Sequence, residues 1–172
     1  MRARVAAVAA AAAVWGCGKS ATAPTPGQTT SCTVTLGGAI AGTFDCRPAV
    51  IGWTSATNTT AFGFSVTATA TAPDVVVSVS WSGRPAVRAY ASSDSAAQGV
   101  AEVLAAPGVE WLASRGGAGA PQGSYTLTLT SVSDTVATSR GEAYLVAGTL
   151  TATLPAPPTS SASGSITLTA TF

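Results

Sequence analysis

The sequence predicts an all-β fold, an antiparallel β-sandwich with a β-barrel as the alternative, and three observations carry that prediction. Apolar and polar residues alternate with period two in stretch after stretch, the mark of strands with one buried face. The polar partners are mostly threonine and serine, and threonine is β-branched, so it favours strand while staying hydrophilic. Turn signals rich in Gly and Pro separate the stretches at short spacing. No apolar interior of ligand size declares itself, which favours the sandwich over the barrel.

Taken in order, residues 1–16 read as an export signal. Met1-Arg2-Ala3-Arg4 supplies a charged start, Val5–Trp15 an apolar run, and small Gly16 precedes Cys17. The run falls short of the roughly 20 apolar residues that a membrane span needs. Val14-Trp15-Gly16-Cys17 resembles the lipobox of bacterial lipoproteins, whose signal peptidase cuts before a cysteine that becomes the lipidated N-terminus. The resemblance implies a mature chain that starts at Cys17 and carries several acyl chains, palmitate among them. One chain alone would hold only marginally, at about 0.8 kcal/mol per buried CH₂. Gly18, rather than Asp, follows the cysteine, which resembles lipoproteins sent to the outer membrane of Gram-negative cells. A retained single-span helix and an ordinary cleaved signal with a free Cys17 are the alternatives.

Residues 17–30 form the lipidated cysteine and a linker, small, polar and proline-containing, that cannot bury enough apolar surface to offset its ordering entropy. The β-domain is expected over residues 31–172. Phe62, Phe64 and Val66 share one parity, as do Val75, Val77, Val79 and Trp81, with serine and threonine opposite. The same holds for Tyr125, Leu127 and Leu129, and for Ile166, Leu168, Ala170 and Phe172. Tyr144, Val146, Leu150 and Leu154 lie on one long strand, where Gly148 suggests a bulge. Turns fall at Gly37-Gly38, Ala72-Pro73-Asp74, Ser82–Pro85, Gly116-Gly117 and Pro155–Pro158. Residues 95–113 stay ambiguous. Ser95–Gln98 has the form of a capping box with Val100, Val103 and Leu104 at helical spacing, whereas the β context favours a hairpin of Ala101–Ala105 and Val109–Ala113. Gly123–Thr130 recurs in Gly164–Thr171, but no further segment joins the series, so a repeat architecture is not expected. The body has the general look of small β-rich lipoproteins of high-GC Gram-negative bacteria, a resemblance that implies no particular activity.

Of three cysteines, lipidation of Cys17 leaves Cys32 and Cys46 to pair, and disulfides persist in the envelope compartments to which the signal leads. A tight Gly37-Gly38 turn would set Cys32 opposite Thr43. A wider loop centred near Ala39 sets it opposite Cys46, and that is the expected register.

Composition excludes much chemistry. The chain has no histidine, so histidine-based triads and histidine metal sites are ruled out. Its one lysine, Lys19, lies in the linker, and cysteine ligands for zinc are too few. Asp45, Asp74, Asp94, Glu102, Glu110, Asp134 and Glu142 are scattered near turns and strand ends, so no catalytic residue, metal or cofactor is expected and the chain is not read as an enzyme. Charged residues are only 9% against 47% hydrophobic, which leaves solubility to Thr, Ser and Gly. Net charge moves from +1 to −1 once Arg2 and Arg4 leave with the signal, which argues against nucleic acid.

Binding residues are the remaining prospect. Trp53 and Trp111 are candidates for stacking on sugar rings, whereas Trp81 continues a core parity. Arg84 and Arg88, with Tyr90 beyond, could clamp a carboxylate or phosphate, although exposed loop cations that serve solubility are the plainer reading. The expected function is a non-catalytic, lipid-anchored component of the outer envelope, periplasmic or surface-exposed, with a structural or protein-binding role. A carbohydrate-binding surface module is the alternative. Expected partners are the membrane, through the lipid, and an envelope protein or polysaccharide.

Overall fold

A computed structural model describes residues 31–47, 50–115, 122–138 and 141–172. The signal peptide, Cys17, the linker and the Gly116-Gly117 turn lie outside the described residues. The described chain is all-β, as predicted, and every strand ladder is antiparallel. Eleven strands form one sheet: β1 (Cys32–Gly38), β2 (Gly42–Cys46), β3 (Val50–Thr54), β4 (Thr59–Val66), β5 (Asp74–Ser82), β6 (Ala89–Ala91), β7 (Ala97–Ala106), β8 (Val109–Arg115), β9 (Ser124–Thr138), β10 (Gly141–Pro155) and β11 (Ser165–Thr171). The ambiguous stretch is the β7–β8 hairpin, turning at Gly108 with φ 80°. The helical spacing of Val100, Val103 and Leu104 gives way to strand pairing, because the edge of β5 offers β7 a complete ladder.

Neighbours in the sheet run β2-β1-β11-β10-β3-β4-β5-β7-β8, with β9 on the other side of β10 and β6 beyond it. Strand β10 organises this order. Its Thr149–Pro155 segment pairs with β11, and its Gly141–Tyr144 segment pairs with β3. The change of neighbour falls at Gly148, where the β9 register shifts and Gly148 exchanges backbone hydrogen bonds of 2.8 and 3.1 Å with Phe172. A side chain there would run into the Thr128 carbonyl, so the expected bulge site needs glycine.

The sheet doubles back on itself. Trp81 of β5 stacks on Tyr90 of β6 with centroids 3.9 Å apart, and Phe62 of β4 packs on Phe172 at 5.0 Å. Neither pair joins neighbouring strands, so the β3-β4-β5-β7-β8 half faces the β2-β1-β11-β10-β9-β6 half. Between them lies one apolar cluster, and every residue of the predicted strand parities is buried in it.

In the second half, core rows and surface rows alternate. Val34, Ala170, Leu150, Leu127 and Tyr90 form one inward row across β1, β11, β10, β9 and β6. One residue along, the outward row is Thr43, Thr35, Thr169, Thr151 and Thr126. A second outward row is Thr33, Thr171, Thr149 and Thr128, with Asp45 at its margin, and a third contains Thr167 and Thr153.

Cys32 and Cys46 stand directly opposite each other, as the wider loop requires. Their Cα atoms are 4.9 Å apart and a disulfide joins them. The bridge ties β1 to β2 where the described chain begins.

Candidate functional site

Strands β3 and β10 place Trp53 directly opposite Glu142. The turn after β5, opened by Gly83 at φ 90° with its N–H bonded to the Asn58 carbonyl at 2.7 Å, swings Arg84 over this pair. The guanidinium lies 4.2 Å from the centroid of the Trp53 ring. Its Nε and Nη2 donate to the two Glu142 carboxylate oxygens at 2.9 and 2.6 Å, a bidentate fork. The Tyr144 hydroxyl donates to the same carboxylate, and the Trp53 indole N–H donates to the Asn58 side-chain oxygen at 3.1 Å.

The donors from Arg84, then from Tyr144, hold the Glu142 carboxyl down at about 2, against the opposing effect of burial. Arg84 is correspondingly held above its ordinary value by the same hydrogen bond. Glu142 is thus a fixed anion with no proton to give near neutrality. The cluster can orient a polar ligand at its rim, but as a general acid it is disarmed.

The predicted arginine clamp separates into two stacked cations. Arg88 lies 4.4 Å over the Tyr90 ring, while Arg84 is taken by Glu142 and Trp53. The Tyr90 hydroxyl accepts from the Ala86 N–H at 2.9 Å and donates to the Ala86 carbonyl at 3.2 Å, which holds the intervening loop. Trp111 is corrected outright. It is 4% exposed, and its indole N–H reaches the Ser163 carbonyl at 3.3 Å. The loop after β10 folds over β8, with Ser160 bonded to both backbone groups of Glu110, and closes the face a sugar would need. Only Trp53 of the two candidates keeps an accessible edge.

One gathering of charge was missed. The expected scatter of carboxylates fails on the outer face of β5, β7 and β8, where Glu102 sits between Val76 and Leu112. Burial, then Glu110 and Asp74, push its carboxyl above the ordinary value. Parity across the β7–β8 hairpin was the available signal, since Glu102 and Glu110 fall on one face once the hairpin is chosen. Among the described residues no group of three cysteine or carboxylate side chains is placed to hold a metal ion. A surface depression of about 360 Å³ between β2 and the end of β4 is lined by Phe44, Cys46, Arg47, Ser65 and Ala72, beside the disulfide. No family model, curated protein or solved structure matches the chain.

Proposed function

We propose that this chain is a non-catalytic, lipid-anchored module of the cell envelope, acting through its β surface as a structural or protein-binding component. The observation that carries the reading is the arrangement at the start of the domain. In the sequence a lipobox-like cysteine and a short polar linker precede β1, and a disulfide then joins β1 to β2. A cross-link there resists unravelling of β1 under a pull from the anchor, and it belongs to an oxidising compartment. The absence of histidine and the ion-paired, permanently charged Glu142 support a binding role over catalysis. The polysaccharide alternative narrows to Trp53, one face of whose ring is already occupied by Arg84.

Cys17→Ser tests the reading. The unsubstituted chain should sediment with membranes after a high-salt wash, and the variant should appear in the soluble fraction. Continued membrane association of the variant would place the anchor elsewhere and end the proposal.

A further inference from the structure

We propose that the threonine-bearing face of β1, β11, β10 and β9 binds the surface of ice. The face carries threonines in aligned rows that cross the strands. Its outward rows are in unbroken register from β2 to β9, because the β9–β10 shifts fall outside them, at Ala143/Tyr144 and Ala147/Gly148. Pleat geometry then spaces the threonines about 4.8 Å apart across strands and about 6.7 Å apart along them. A crystal of water also presents a two-dimensional repeat of oxygens on a scale of several ångströms.

The chemistry suits that occupant. Each threonine offers a methyl group, which orders the water over it, beside a hydroxyl that donates and accepts. Within the rows, Thr35 and Thr43 share a hydrogen bond of 3.3 Å, and among the described residues the other hydroxyls make no hydrogen bond inside the protein. The rows carry no charge short of Asp45 at the margin. Long charged side chains would hold water in a different arrangement and lift a flat crystal away. Individually weak contacts add up here because a rigid sheet holds them in place before the ligand arrives.

The opposite half of the molecule is the internal control. Its outward positions mix Asp74, Val76, Glu102 and Glu110 with Ser78, Ser80 and Ser82 of β5. Ser78 and Ser80 face Gly63, Val100, Ala61 and Gln98 across the neighbouring strands, so no row of hydroxyls crosses the sheet there. A general demand for soluble strand residues acts on both faces, so it does not account for aligned rows on one. A crystalline polysaccharide also repeats in two dimensions, but it is gripped through aromatic platforms, and the threonine rows contain none. The inference stands apart from the membrane anchor, since the threonine rows lie wholly within the folded domain.

The test uses the full chain with Cys17→Ser, so that no acyl chain is present, and reads both the freezing–melting gap of a single ice crystal and the coarsening of polycrystalline ice. This protein should shape and arrest ice. Thr151→Lys, at the centre of the middle row, should lower the activity about tenfold or more by breaking contact over several neighbours at once. Thr169→Lys, beside it, should do the same, and Ser78→Lys on the other half should leave activity intact, with thermal melts confirming that all are folded. No effect of the parent protein on ice would overturn the proposal, as would equal activity of Thr151→Lys and Ser78→Lys. Retention on crystalline cellulose or chitin without any effect on ice would reassign the face to polysaccharide and overturn it too.

Discussion

Glu142 illustrates how single side chains in this domain are committed to structure. Hydrogen bonds from Arg84 and Tyr144 bring its carboxyl to about 2, below the 4.5 of a free glutamate. A depressed carboxylate stabilises the fold above its unfolded value and loses that contribution as the pH falls through the folded one. The window is therefore from about 4.5 down to about 2. Thermal melts of the parent and of Glu142→Gln should separate most near neutrality and converge as the pH approaches the bottom of that window. A constant separation would mean that Glu142 acts by packing alone. The side chain is in part accessible and its ion pair is exposed on the arginine side, so the separation should be small.

Among the elements, β10 has the most demanding task, because it serves two neighbours on one edge and β9 along the other. Gly148 makes the switch possible by letting the Thr128 backbone and the Phe172 ring approach closely. Gly148→Val should destabilise the domain by about 1–3 kcal/mol, the usual cost of forcing extra methyl groups into a packed site. Chemical denaturation measures it, and an unchanged midpoint would remove the proposed switch. Strand-level features were legible because period two shows which residues face inward: the bulge at Gly148, the wide β1–β2 loop and the β7–β8 hairpin all follow from local pattern. Trp111 was not legible. On β8, Trp111 and Ala113 face inward while Leu112 faces outward, so both parities look apolar. What closes over Trp111 is a loop some fifty residues later, which no local pattern announces.

At the scale of the molecule, the sheet order and its doubling depend on contacts between strands distant in sequence, such as Phe62 with Phe172. Alternation says that a strand has an inner face without saying which strand lies beside it, and so the threonines were readable as outward residues but their assembly into rows was not. The Arg84–Glu142 pair lay beyond reach for the same reason, its partners being 58 positions apart in the sequence. The central claim is that one exported chain is anchored at Cys17 and locked at Cys32–Cys46. It is tested most directly by the intact mass of the protein from native envelopes, after denaturation and alkylation without reductant. The expected product begins at Cys17, carries acyl chains and has no alkyl adduct, since closing a loop of this size stabilises by about 3 kcal/mol and leaves no free thiol. A chain that begins at another residue, or one with two adducts, would contradict it.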